Sequence, residues 1–426
     1  MGDRQTPLLR VVLASLIGTT IEWYDFFLYG TAAALIFNRL FFPSFDPLTG
    51  TLLAFATYAV GFVARPIGGI VFGHFGDRIG RKKLLMVSLV LMGAASSAIG
   101  LLPTYATAGT VAPVALVTLR LIQGFAVGGE WGGAVLLIAE YSPREQRGFW
   151  ASWPQFGVPA GNLLAAGSLA IMNATLSEEE FLHWGWRIPF IASAILVIVG
   201  WWVRQSVADS PLFRRIASSQ RHSFPLMEVL RRHWRSVAIG VGIKMGSTTA
   251  FYAITAFAIT WLTEVHGQPR SLALGALLAG SVVQGLSIPL FAALSDQVGR
   301  RPVFLGSGLV YALFMFAFFP LLSSGERSWV YIAIMAGLAL DGALYGPQAA
   351  FLAELFPTSI RYSGACLAYQ VASVIGGSIM PIIAIALYKH FGSSTPISIY
   401  VATTLLVVAV TAYVSRETRG IGFTAD

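Results

Sequence analysis

Twelve apolar stretches of helix length govern what this chain can fold into. They lie near residues 11–35, 52–75, 84–102, 112–140, 149–173, 188–203, 236–263, 271–295, 302–322, 329–355, 361–388 and 396–414, separated by charge clusters or by Pro and Gly. A hydrocarbon core about 30 Å thick needs about 20 apolar residues per helix, whereas a barrel strand needs only about 10. Backbone polar groups in lipid must be paired within the protein, so runs of this length are predicted to be transmembrane helices. Several exceed the minimum, which predicts tilt or extension beyond the bilayer. Composition agrees. Of 426 residues, 56% are hydrophobic and only 11% charged, against about 25% charged in soluble domains. That is too little charge to cover a water-facing surface, which argues against a soluble enzyme, a disordered chain, collagen or a coiled coil. The single cysteine, Cys366, excludes an intrachain disulfide and is expected to be a packed small side chain. Residues 1–10 lead directly into the first stretch with no small-residue cleavage site, so a retained first helix is expected.

The basic residues are distributed unevenly. Of 28 Lys and Arg, 20 fall on the termini and every second loop, 5 on the intervening loops and 3 within spans. The positive-inside rule therefore predicts that both termini are cytoplasmic. The net charge of +8 is mainly this topology signal. Scattered over many short loops, it gives no support for nucleic-acid binding. The longest and most basic loop, 204–235, divides the chain into an N-terminal bundle (1–203) and a C-terminal bundle (236–426), and is expected to be a solvated linker near anionic headgroups.

The two halves repeat. Gly73-His74-Phe75-Gly76-Asp77-Arg78-Ile79-Gly80-Arg81-Lys82 recurs in worn form as Ala292-Ala293-Leu294-Ser295-Asp296-Gln297-Val298-Gly299-Arg300-Arg301, an offset of 219. Glu140, Pro143 and Arg147 recur 214 residues later as Glu354, Pro357 and Arg361; Gln155 and Gly161 recur 215 later as Gln370 and Gly376. The fold class predicted is an all-α membrane protein, twelve transmembrane helices in two pseudo-symmetric six-helix bundles around a central cavity. Gly73, Gly76 and Gly80 let helix ends approach and turn sharply. Asp77 can cap a helix N-terminus or pair with an arginine, and Arg78, Arg81 and Lys82 can hold carboxylates or headgroups. With Asp296, Gly299, Arg300 and Arg301 they make a candidate cytoplasmic gate between the halves.

GHFGDRIGRKK at 73–83 resembles the signature loop of the major facilitator superfamily, and RLIQG at 120–124 its fourth-helix motif. EWYDFFLYG at 22–30, ARPIGG at 64–69, QGFAVGGEWGGA at 123–134, GIKMGSTTAFY at 242–252 and YGPQAAFLAELFPTSIRYSGACLAYQ at 345–370 are similar to the metabolite:proton symporter family, and most of all to its shikimate-transporter-like branch. The resemblance implies the two-bundle fold with helices 1, 4, 7 and 10 around the cavity. It also implies proton-coupled uptake of a small carboxylate or zwitterion, such as shikimate, oxoglutarate, citrate, proline or betaine.

Seven ionisable residues fall within spans: Glu22, Asp25, Arg65, Arg120, Glu130, Lys244 and Asp341. Each costs about 2.5–3.5 kcal/mol at a helix centre on insertion scales, so each is expected to face the protein interior or a watery cavity. They lie on polar stripes at helical spacing: Gly18, Glu22, Asp25 and Tyr29; Tyr58 and Arg65; Arg120, Gln123 and Glu130; Lys244, Thr248, Tyr252 and Thr255; Asp341, Tyr345 and Gln348; Tyr362, Cys366, Tyr369 and Ser373. Arg120, Lys244 and Arg65 are the candidate cations for a substrate carboxylate, with Gln123, Tyr252, Tyr345 and Gln348 beside them. Glu22, Asp25, Glu130 and Asp341 are the proton-carrier candidates. Some of these charges are equally well read as structural ion pairs, Arg65, Glu130 and Asp341 above all. Trp184, Trp186, Trp201, Trp202 and Trp329 near span ends suit an interfacial belt, and Pro159 and Pro381 are expected to kink helices 5 and 11.

No HExxH, CxxC or P-loop pattern is present, so no metal, redox cofactor or ATP drive is expected, and no enzymatic role. The expected partners are a small-molecule substrate, the proton and membrane lipid, with the chain acting as a monomer in a bacterial inner membrane. The alternatives are a proton-driven exporter, which GVPAGN at 157–162 disfavours, and a receptor, which would need a soluble output domain that this chain lacks room for.

Overall fold

The computed structural model describes residues 8–79, 81–128, 131–205, 225–357 and 360–423. Twelve helices run through them: α1 (Leu8–Phe41), α2 (Pro47–Ile79), α3 (Arg81–Gly100), α4 (Val111–Val127, then Trp131–Tyr141), α5 (Arg147–Thr175), α6 (Arg187–Gln205), α7 (Trp234–Val265), α8 (Arg270–Val298), α9 (Arg300–Ser323), α10 (Arg327–Leu355), α11 (Arg361–Phe391) and α12 (Thr395–Val414). Among the described residues, eight are long and apolar enough by themselves to cross a membrane: α1, α2 and α7 to α12. In α5, 29 residues long, the apolar run is diluted by Gln155, Asn162, Pro154, Pro159 and several glycines. That composition suits a helix packed among other helices rather than against lipid. Part of the expected linker, Pro225–Arg232, is itself a short helix.

The repeat is visible in the backbone. In α1 the helix widens at Ala33–Phe37, and α7 widens at Ala253–Phe257, 220 residues later. Wide turns of this kind mark functional positions more often than chance. In α11 the irregular turn is Val374–Ser378, where the equivalent stretch of α5 contains Pro159. Pro381 stands in the first turn of the segment that follows, where proline is well tolerated.

The halves meet along α5 with α8 and α10, and along α2 with the wide turn of α11. Within the first half, α2 and α4 touch backbone to backbone. A Cβ at Gly68 would lie 1.9 Å from the Phe125 carbonyl oxygen, and one at Gly124 1.9 Å from that of Gly61. A Cβ at Gly128 would lie 2.0 Å from the Arg65 carbonyl oxygen. Only glycine allows this approach. It sets Arg65 and Arg120 side by side, with the Arg120 Nε 2.6 Å from where a Gly61 Cβ would stand.

One expectation is corrected. Trp184, Trp201, Trp202 and Trp329 are exposed, as an interfacial belt requires, but Trp186 is completely buried. Its ring packs edge-on against Phe37, Phe41 and Phe190. Proximity to a span end therefore did not put it on the rim, because α1 extends to Phe41 and covers it.

Candidate functional site

All six described ionisable residues within the spans are buried, at 1–6% exposure: Glu22, Asp25, Arg65, Arg120, Lys244 and Asp341. None of the three cations has a carboxylate within ion-pair distance among the described residues. They rest on aromatic faces instead. The Arg120 guanidinium lies 4.5 Å from the Tyr29 ring centre and 4.6 Å from those of Phe26 and Tyr58. Arg65 lies 4.2 Å from Phe26 and 4.7 Å from Phe62. Ring quadrupoles partly replace hydration for a buried cation, by about 2 kcal/mol or more when water is excluded.

Hydrogen bonds fix this box. Arg120 Nη1 donates to Gln123 Oε1 at 3.1 Å, and Gln123 Nε2 donates to Ser96 Oγ at 2.6 Å. The Tyr29 and Thr57 hydroxyls share a bond of 2.6 Å. Arg120 Nε and Nη2 and Arg65 Nε have no hydrogen-bond partner among the described residues. Asp25, on the same face of α1, accepts from the Ser193 hydroxyl of α6, while its Oδ2 has no partner among the described residues. Asp25, Arg65, Arg120 and Gln123 line one cavity of about 10 Å3, about the room that a single water needs.

The second half closes the box. Tyr252 of α7 packs edge-on against Phe62 at 5.6 Å and Tyr58 at 6.1 Å. Gly377 makes room for it: a Cβ there would stand 2.7 Å from the Tyr252 ring and 3.0 Å from Phe62. About two helical turns earlier on α7, Lys244 Nζ sits 3.8 Å above the Tyr369 ring and 5.4 Å from that of Tyr345. The two tyrosine hydroxyls are 3.3 Å apart. Asp341 is placed differently from the other acids. It accepts from Ser247 Oγ at 3.0 Å and Gln284 Nε2 at 2.7 Å, tying α10 to α7 and α8. Gln348 is fully buried, with neither amide atom partnered among the described residues. Glu22 is buried on α1, one turn before Asp25. Glu130 lies outside the described residues.

Above and below this centre the halves are held together. On the face that carries most Lys and Arg, called here the basic face, the repeated residues pair reciprocally. Arg147 of the first half binds Glu354 of the second at 3.3 Å, and Arg361 of the second faces Glu140 of the first at 3.7 Å. Asp296 accepts from the Gly148 and Phe149 N–H groups at 2.8 Å, so a carboxylate of one half caps the N-terminus of α5 in the other. Arg300 stays within the second half, at 2.7 Å from Asp296 and 3.3 Å from Glu354. Arg301 donates to the carbonyls of Ala412 and Tyr413, the end of α12, and Gly299 makes the turn between α8 and α9 at φ +106°. Of the first-half loop, Gly80 lies outside the described residues, as do the side chains of Asp77, Arg78, Arg81 and Lys82 around Gly73 and Gly76. Deeper in, Gln155 donates to the Tyr345 carbonyl of α10, and its repeat Gln370 donates to the Gly128 carbonyl of α4 at 3.1 Å. On the opposite face, Glu178 joins Arg39 at 3.1 Å to Arg270 of the second half at 3.0 Å, and Lys389 lies 3.5 Å from Asp46. Apart from Arg270, which is half-buried, the groups of these rim pairs are exposed, and the pairs are individually weak. The centre is thus enclosed from both faces.

Sequence reading missed Ser193, Ser96, Ser247 and Gln284, which hold the acids and amides in place. Their one signal is a polar residue on an otherwise apolar helix. The Glu–Arg latch was within reach, since both copies stood in the repeat.

Two family models match the chain: Sugar (and other) transporter over residues 11–237, and Major Facilitator Superfamily over residues 245–423. The inner membrane metabolite transport protein YhjE of Escherichia coli K12 is 42% identical over 96% of this chain and 94% of its own length. The shikimate transporter of the same organism is 43% identical over 96% and 95%. A proline/betaine transporter of Salmonella typhimurium is 34% identical over 87% and 76%. Among solved structures, the proton:xylose symporter XylE bound to a bromodeoxyglucose aligns with a TM-score of 0.78 over 98% of this chain and 97% of that one, at 18% identity. At that identity the likeness concerns the fold.

Proposed function

We propose, from the premise that this chain belongs to the major facilitator superfamily of membrane transporters and is similar to the shikimate transporter of Escherichia coli, that it imports a small organic carboxylate together with protons. The observation that carries this reading is the set of three buried cations, Arg65, Arg120 and Lys244, without a carboxylate partner among the described residues. A cation held on aromatic rings is one that an incoming carboxylate can take without first breaking an ion pair. Arg120 and Arg65 receive the carboxylate on the first half, with bidentate geometry available to a guanidinium. Lys244 supplies a point charge from the second. Gln123, Tyr252, Tyr345 and Gln348 contribute donors and an apolar wall for the rest of the molecule.

Asp25 is the leading proton carrier. Its Oδ2, without a hydrogen-bond partner among the described residues, shares a cavity with Arg120, so protonation removes a negative charge that competes with the substrate for the guanidinium. Substrate and proton then load together, and the halves rock to expose the centre to the other face. Glu22 and Glu130 are further stations on the same route. Asp341, with both oxygens bonded, positions Ser247 and α7 beside Lys244. The basic face is cytoplasmic, the chain works as a monomer in a bacterial inner membrane, and residues 204–235 link the bundles.

Proteoliposome uptake tests this. A thermal-shift screen with shikimate, oxoglutarate, citrate, proline and betaine identifies the compound to use. Its uptake should rise under an inward proton gradient and lose that dependence in Asp25→Asn while exchange persists. Uptake indifferent to the gradient would overturn the coupling.

A further inference from the structure

After α12 the chain turns back along the basic face. The Glu417 carboxylate accepts the N–H groups of Arg300 at 2.9 Å and Arg301 at 3.0 Å, and so caps the N-terminus of α9. It also accepts from Thr418 N at 2.9 Å and Arg419 N at 2.8 Å. Burial opposes the charge, but these four bonds outweigh it and hold the carboxyl below its usual value of 4.5. The turn into α9 is made by Gly299, whose missing Cβ would stand 2.6 Å from Glu417 Oε2. Next, the Thr418 hydroxyl donates to Glu354 at 2.9 Å. All these contacts lie within the second half.

Beyond Gly420, at φ +78°, the tail crosses to the first half. Arg147 Nη1 donates to the Ile421 carbonyl at 2.8 Å. The Phe423 ring lies 3.7 Å from the guanidinium carbon of Arg147 and 3.7 Å from that of Arg361. One ring therefore touches a cation from each half, at the point where the Glu–Arg latch joins them. The segment is anchored on one body and clipped to the other. Separation of the halves on this face must pull Arg147 away from Glu354, Ile421 and Phe423, while the contacts of Glu417 and Thr418 persist.

We propose that residues 421–423 form an autoinhibitory strap, which holds the basic face shut by bridging Arg147 and Arg361 and must detach for that face to open. The strap requires only that the halves separate there. It is independent of the substrate and of the coupling ion, so its failure and theirs are distinguishable.

The test is a distance measurement on the full chain in lipid nanodiscs. Spin labels are placed at Glu145→Cys and Gln297→Cys, both exposed on the basic face in opposite halves, in a Cys366→Ser background. The intact chain should give a short distance, and Phe423→Ala should raise the ratio of long to short populations about 5- to 30-fold. Phe423→Trp, which keeps a ring between the cations, should restore the short distance. Should Phe423→Ala fail to fold, a protease sequence inserted between Gly420 and Ile421 removes the strap after reconstitution and should give the same shift. Distributions that superimpose with and without the strap, or a Trp variant that behaves as Ala does, would overturn the proposal.

Discussion

The centre of the molecule and its basic-face latch use the same residue types in opposite ways. In the latch, arginine meets acid: Arg147 with Glu354, Arg361 with Glu140, Arg300 with both Glu354 and Asp296. In the centre, arginine and lysine meet aromatic rings, and the acids meet hydroxyls and an amide. A buried ion pair satisfies its own members and offers little to a third party. A buried cation on a ring remains available. The difference separates charges that hold the two halves together from charges kept for a ligand and a proton.

Removing a partner from the latch should have the largest effect. Glu354→Gln leaves Arg300 and Arg147 buried beside a neutral amide, and should lower stability by about 3–5 kcal/mol, read as denaturation in detergent. A loss under about 1 kcal/mol would place this pair with ordinary surface bridges and erase the contrast. In the centre, Arg120→Ala should reduce ligand affinity by about 2–5 kcal/mol, measured by calorimetry with the compound selected by thermal shift. Near-normal affinity would remove Arg120 from the site. Asp341→Asn should be milder, since an amide oxygen still accepts from Ser247 or Gln284. We expect gradient-driven uptake to survive it and to fail in Asp25→Asn. The reverse outcome would exchange the roles of the two acids.

How far each region was legible follows from the same physics. The span pattern and the offset repeat are properties of local composition, so the helices and the recurrence of Glu140 and Arg147 as Glu354 and Arg361 stood in the sequence, but not their reciprocal pairing across the halves. The seven intramembrane charges were likewise visible, because charge in a lipid-length helix is costly wherever it points. Their partners were not. Helical spacing says which residues share a face, but not that α2 and α4 approach closely enough at Gly61, Gly68 and Gly124 to bring Arg65 and Arg120 onto the ring of Phe26. The capping of α5 by Asp296 and the return of the tail to Arg147 join residues 148 and 276 positions apart, and neither has a local signature. Trp186 fails for a related reason: depth depends on what covers a residue, and here that is Phe37 and Phe41.

The rim pairs on the opposite face should respond least, and for that reason they sharpen the assignment of the proton site. Asp46 is exposed. Hydrogen bonds from the Thr49 hydroxyl and N–H, with Lys389 nearby, hold its carboxyl below the usual 3.8. A carboxyl whose folded value is depressed keeps its charged contact above that value and loses it only as pH falls through it. Asp46 is therefore ionised throughout pH 5–8, and its contact with Lys389 is constant over the range in which a proton-coupled carrier works. Asp46→Asn should change uptake less than about twofold, as expected for an exposed pair, and should leave the pH profile of uptake superimposable on that of the unaltered protein. A profile that moves in this variant would mean that the rim, and not the enclosed Asp25, senses the proton, since no other change has been made to the charges of the centre.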